Sequence, residues 1–135
     1  MTIPIAINVN NYDKPEVEII GGKDGYLVLS KEMTLYDGPE IIFSLKEEKN
    51  NFYPESVTTL ILRFTENSNG LTNLTLENKT FIISGDKLAL TNLSETIYNL
   101  SNSEIGTHFH IDYYEDNGIV SETNIALVLM LTDNL

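Results

Sequence analysis

The chain contains no cysteine, which excludes disulfides, thiolate zinc sites and thiol nucleophiles together. It contains a single arginine, Arg63, and only eight basic residues against twenty acidic ones, a formal net charge of −12. Phosphate backbones are held by clustered Lys and Arg, so nucleic acid and anionic membrane surfaces are excluded as expected partners. A cationic protein fits this field far better. No stretch approaches the roughly 20 consecutive apolar residues that span a bilayer. The opening segment MTIPIAINVNNYDKP carries no basic n-region before an apolar run, so no signal peptide and a cytoplasmic location are the expectation. Four N-x-S/T sequons, at Asn73, Asn78, Asn92 and Asn99, carry no weight without secretion.

What is present is an ordinary globular composition. The chain has 135 residues, 41% of them hydrophobic, which bounds it to a single domain over 1–135. No internal repeat stands out. Residues 1–14 read as an irregular lead-in, although Ile3, Ile5, Ile7 and Val9 alternate well enough for a short edge strand. A β-rich half then runs over 16–84. EVEII (16–20), the turn Lys23-Asp24-Gly25 and GYLVLS (25–30) predict a hairpin. The glycine-flanked lysine in that turn lacks P-loop spacing. Strands are further predicted at EIIFSLKEE (40–48), TTLILRFTE (58–66), and on both sides of Glu77-Asn78-Lys79 within 73–84.

At Asp86 the apolar period changes from two to about 3.6. Leu90, Leu93, Ile97 and Leu100 form one stripe, predicting an amphipathic helix over about 86–102 with Asp86 as its N-cap. Two strands close the chain within 85–133. THFHIDYY (107–114) alternates, and NIALVLML (124–131) is apolar almost throughout, as expected of a strand covered on both faces and hence central in the sheet. The expected architecture is therefore α+β: a mostly antiparallel sheet of seven or eight strands carrying one helix.

His108 and His110, the only histidines, share one face of their strand with Asp112 and Tyr114, while Phe109, Ile111 and Tyr113 share the other. That polar face admits several readings. A His–His–carboxylate metal site, which would support a metal-dependent enzyme, needs convergent ligands. Residues two apart on a strand are roughly 6–7 Å apart, so His108 and Asp112 are separated by about 13 Å. A metal held by His108 and His110 would therefore need a further ligand such as Glu104, Glu115 or Glu122. A calcium loop at Glu115, Asp116 and Asn117 fails because Tyr114 stands where an oxygen ligand is needed. No nucleophile elbow or phosphate loop accompanies the histidines. Two readings remain: a strand whose His108, His110 and Asp112 face solvent or make cross-strand hydrogen bonds, and a partner-binding face made of His108, His110, Asp112 and Tyr114 with the acidic turn Glu115-Asp116; neither takes a cofactor.

The order of elements in the second half carries a resemblance. TLENKTFIISG leads through Asp86 into LALTNLSETIYNLSN, followed by GTHFHIDYY, an acidic turn and ALVLML. Over roughly residues 70–133, this order resembles small acidic immunity proteins of bacterial polymorphic toxin systems, whose hairpin and helix precede a strand with an H-x-H-x-D-like motif. The motif here is His108, His110 and Asp112. The resemblance implies a non-enzymatic protein that neutralises a basic toxin or nuclease. A mobile-element protein that blocks a host nuclease fits the same charge. Exposed sheet edges also allow a homodimer by strand pairing.

Overall fold

A computed structural model describes residues 1–11, 14–35, 38–112, 119–123, 125–133 and 135. Among these, the elements in chain order are β1 (Thr2–Asn10), β2 (Glu16–Gly21), α1 (Lys23–Leu35), β3 (Glu40–Lys46), β4 (Glu55–Val57), β5 (Thr59–Phe64), β6 (Asn73–Glu77), β7 (Thr80–Gly85), α2 (Lys87–Ser101), β8 (His108–Ile111) and β9 (Ala126–Leu131). All nine strands form one sheet in the order β6-β7-β5-β3-β1-β2-β9-β8, with β4 also paired to β1. The fold is α+β, as the composition of elements predicts, with two helices rather than one and a mixed rather than mostly antiparallel sheet.

Much of the sequence reading holds. The strands at 40–46, 59–64 and 73–77 lie within the predicted segments, the strand at 80–85 ends one residue beyond its own, and Asn78 turns the β6–β7 hairpin with φ of 54°. Helix α2 spans Lys87–Ser101 and is capped by Asp86, whose carboxylate accepts the Ala89 amide at 2.9 Å. The same carboxylate also accepts the amides of Ser68 and Gly70, fastening the preceding loop to the helix start.

Three expectations are corrected. Residues 2–10 are no lead-in but the most buried strand: Ile3, Ile5, Ile7 and Val9 are at most 2% exposed, with strands on both sides. Residues 25–30 are not the second arm of a hairpin but the middle of α1. Its buried residues Tyr26, Leu29 and Met33 recur at helical spacing. The contiguous LVL run, preceded by Gly21-Gly22, disguised that spacing as a turn and a strand. Finally, β9 is an interior strand but not a central one, because it lies between β2 and the edge strand β8. It runs parallel to β2.

The topology contains a repeat that the residues conceal. The order β6-β7-β5-β3 is followed by β1-β2-β9-β8. Each quartet consists of an antiparallel hairpin, then a parallel neighbour, then an antiparallel strand beside that neighbour. The chain therefore comprises two units, β1-β2-α1-β3-β5 and β6-β7-α2-β8-β9, with their last strands exchanged. Aligning Gly21 with Gly85 pairs Lys23 with Lys87, Leu29 with Leu93 and Ser30 with Ser94. These pairs keep the separation of 64 residues that divides the two serines. The extra β4 and unequal loops hide the repeat in the linear sequence.

Strand directions place the helices. β1, β3, β6 and β8 run one way, and β2, β5, β7 and β9 the other. Both β2 and β7 thus run into a helix at the same end, where β3 and β8 begin. The two helices pack together there, and Ser94 Oγ donates to the Ser30 carbonyl at 2.8 Å in a buried crossing. Their inner faces, with Leu90, Leu93, Ile97 and Leu100 from α2, join the sheet's core. The Tyr26 side chain is fully buried, and its hydroxyl donates to the carbonyls of Ile19 and Met130 at 2.9 and 2.7 Å. The sheet curls, and an isolated bridge joins the residue before β6 to the segment between β8 and β9: the Thr72 amide donates to the Ile119 carbonyl, and the Ser121 amide to the Thr72 carbonyl.

Candidate functional site

Alternation along each strand divides the sheet into an inner face, which supplies the core, and an outer one. On the outer face the registers line up one row of side chains across five strands. His110 on β8 pairs with Val128 on β9, Val128 with Glu18 on β2, Glu18 with Asn8 on β1, and Asn8 with Ser56 on β4. His108 and Glu16 stand in the flanking rows.

Residues 47–54, which connect β3 to β4, lie over this row as a strap. Four polar side chains of the sheet hold it. Asn8 donates to the Glu48 carbonyl and Asn10 to the Phe52 carbonyl, each at 2.8 Å. Glu18 accepts from the Asn50 side chain at 3.3 Å, and Glu16 accepts from the Tyr53 hydroxyl. Within the strap, Asn50 Oδ1 accepts the amides of Phe52 and Tyr53, both at 2.9 Å. This Asx-type turn fixes the backbone and leaves the Phe52 ring outside, 78% exposed.

The strap encloses charge. Asn8 is fully buried and Glu18 is 7% exposed, both on the outer face. Burial pushes the Glu18 carboxyl above its ordinary range; the Asn50 hydrogen bond and the field of His108 pull it back, while Glu16 raises it further. Burial, and then the bond to Glu16, push the Tyr53 phenol up as well. The registers of β8 on β9 and of β9 on β2 put His108 and His110 on the same face as Glu18 and the strap. With strands about 4.8 Å apart, the row spacing from Glu18 to His110 is roughly 10 Å.

His108, His110 and Asp112 are all exposed, on and just beyond the edge strand β8. Tyr114, Glu115 and Asp116 lie outside the described residues, as does Tyr113. On the inner side Ile111 is buried, but Phe109 is 39% exposed and so does not pack fully under a helix. Glu104 and Glu122 are exposed. Among the described residues no three His, Asp or Glu side chains are grouped closely enough to hold a metal ion.

Glu16, Glu18, Asn8, Asn50 and Tyr53 were missed in the sequence. The available signal was in the strands themselves: Glu16 and Glu18 alternate with Val17 and Ile19, and Asn8 and Asn10 with Ile7 and Val9. Such patterns read as solvated faces, and only the strap's placement makes them interior.

Comparison with protein-family models, curated proteins and solved structures gives no match to this chain. Among the described residues no helix is long and apolar enough to cross a membrane.

Proposed function

We propose that this chain is a non-enzymatic binding protein that captures a cationic protein on the strap-bearing outer face. The immunity proteins of bacterial toxin systems are the model for such a role, and it would be exercised in the cytoplasm. One observation carries the reading. By the internal repeat, His110, Val128, Glu18 and Asn8 occupy the positions that Ile42, Ile61, Ile82 and Thr75 hold in the other unit. The fold therefore accommodates isoleucine at the equivalents of His110 and Glu18, so packing alone does not call for the polar residues. A buried carboxylate beneath a hydrogen-bonded strap, next to an edge strand bearing His108, His110 and Asp112, is a costly arrangement that recognition would explain.

The mechanism is occlusion. A field of −12 accelerates encounter with a basic surface. Charged side chains around the strap and β8 then fix orientation, and Phe52 supplies a rigid aromatic anchor of the kind that dominates interface energetics. Glu115 and Asp116, with Tyr114, would extend the surface along the turn after β8.

The test is co-expression with a basic toxin domain encoded beside this chain, followed by binding measurements on the purified pair. The expected result is protection of the host, and association that slows at least about 10-fold as salt rises from about 50 to 300 mM. Replacing His108, His110 and Asp112 together by alanine should weaken binding while the variant keeps the wild-type circular dichroism spectrum. Absence of both binding and protection would sink the proposal.

A further inference from the structure

Glu18 is the only charged residue that is buried among those described, and it has no cation. No lysine or arginine pairs with it among the described residues; Arg63 is bonded instead to Glu40, across β5 and β3. An ionised carboxylate offers about four lone-pair positions to donors. Glu18 uses one, for the Asn50 side-chain amide, and that bond is long at 3.3 Å. A buried carboxylate with so little compensation is unfavourable in itself. The other unit shows what packing alone would place there: its equivalent is Ile82, 6% exposed and equally enclosed.

The cover over this carboxylate is thin. Asn50 is itself exposed, so Glu18 lies one side chain below the surface. No apolar burial holds the strap down either. Apart from the half-buried Tyr53, every residue of 47–54 is exposed, Phe52 and Pro54 included. Its anchors are the four hydrogen bonds to Asn8, Asn10, Glu16 and Glu18, and the one from Asn50 to Glu18 is the longest. A segment held by exposed polar contacts opens locally at small cost, because water satisfies the groups it frees.

We propose that Glu18 receives one guanidinium, the arginine side chain of the cationic partner, which turns Asn50 aside and takes its place on the carboxylate. The inference rests on the outer face being where that partner binds. Charge selects a cation as the occupant: Glu16 stands on the same side of β2, roughly 6–7 Å away, within a chain of net charge −12. The Tyr53 hydroxyl already donates to Glu16, so the site has one vacant carboxylate rather than two. Burial selects a guanidinium over an ammonium. The guanidinium is more weakly hydrated, so it loses less on leaving water, and its planar fork fills two lone-pair positions at once. Asn50 is then a latch that imitates the ligand, since its N–H already occupies one position that a guanidinium N–H would take.

The test is a nuclear magnetic resonance titration of the full chain, isotope-labelled at its glutamate carboxyl carbons and asparagine side-chain amides. The probe is methylguanidinium chloride, added to about 50 mM at about pH 7.5 with sodium chloride keeping ionic strength constant. The Glu18 carboxyl and the Asn50 amide should shift together and saturate, with a dissociation constant on the order of 1–10 mM, a range open to so small a ligand. Methylammonium chloride should bind at least about 5-fold more weakly. Glu18→Gln keeps the shape of the site and should abolish the response at the Asn50 amide. Asn50→Ala removes the competing donor and should tighten methylguanidinium binding by about 2–5-fold.

Absence of a saturable shift at Glu18 overturns the proposal, as does an equal response to methylammonium. So does a Glu18→Gln chain that still responds, or an Asn50→Ala chain that binds more weakly. The two readings fail separately. A toxin that binds and protects while the Glu18 carboxyl stays silent removes the arginine from the interface and leaves capture by the outer face intact. Guanidinium binding beside failed capture does the reverse: the cation site stands and the toxin reading falls.

Discussion

Replacing glycine by alanine inside a helix normally stabilises a protein by roughly 0.5–1 kcal/mol, because the unfolded chain loses freedom. At Gly25 in α1 the sign should reverse. A Cβ there would lie 2.7 Å from the Pro4 carbonyl oxygen and 2.9 Å from Ile5 Cγ2. Neither neighbour can withdraw: Ile5 is fully buried and paired to Gly21, and the strand continues beneath the helix. The helix would have to lift by several tenths of an ångström, yet the adjacent Tyr26 hydroxyl holds it to Ile19 and Met130. Overpacking of this kind costs about 1–3 kcal/mol, and weakening the tyrosine bonds adds about 1 kcal/mol. Subtracting the propensity gain leaves a net loss of roughly 1–3 kcal/mol, a fall in Tm of about 4–12 °C for a chain of this length. Urea unfolding should show a lower midpoint with an unchanged slope. Lys31→Ala, exposed on the same helix, is the reference and should stay within about 0.5 kcal/mol. A Gly25→Ala variant more stable than wild type would refute the close approach of α1 to β1.

Other outcomes follow from the site and the caps. Glu18→Gln should stabilise the chain at pH 7. The folded state holds this carboxyl's pKa above its unfolded value, so wild-type stability declines as pH rises through that interval; the variant's gain should vanish below about pH 4. Asp86 shows the opposite sign, since the Ala89, Ser68 and Gly70 amides hold its pKa low. Its contribution is present at neutral pH and lost as pH falls through the depressed value, so Asp86→Ala should unfold earlier at pH 7 and converge on wild type in acid. Asn50→Ala removes the acceptor for the Phe52 and Tyr53 amides. Hydrogen exchange at those amides should accelerate by at least about 10-fold while exchange in β1 stays protected.

What could be read from the sequence divides along physical lines. Helix α2 was legible because a side chain, Asp86, marks its start and its apolar stripe is uninterrupted. Its counterpart α1 has Gly22 at the equivalent position and Gly25 inside its first turn, both demanded by close packing rather than by local preference. The same tertiary demand made the segment look like a turn. Strand β1 was legible in its alternation but not in its rank, because an interior position depends on β2, β3 and β4 arriving from far along the chain. Of the site, His108, His110 and Asp112 could be assigned to one face from period two alone. Glu18 could not, since the strap that covers it is fixed by Asn8, Asn10 and Asn50, which sit in unremarkable polar sequence.

The exchange of last strands between the two units bears on how the molecule comes into being. Strand β5 of the first unit is sandwiched between β3 and the second unit's β7, and β9 completes the first unit's β2. Neither half can saturate its own backbone, so a ribosome that has made only residues 1–66 holds a chain with β2 and β5 unsheltered. Native order arrives only when the final strand emerges, and folding should be slow for the chain's size because these pairings span up to 110 residues. The same interdependence makes the loop at Asn67–Gly70 a natural scission point. Two separately produced fragments, each aggregation-prone alone, should rescue one another on mixing and restore a single cooperative transition.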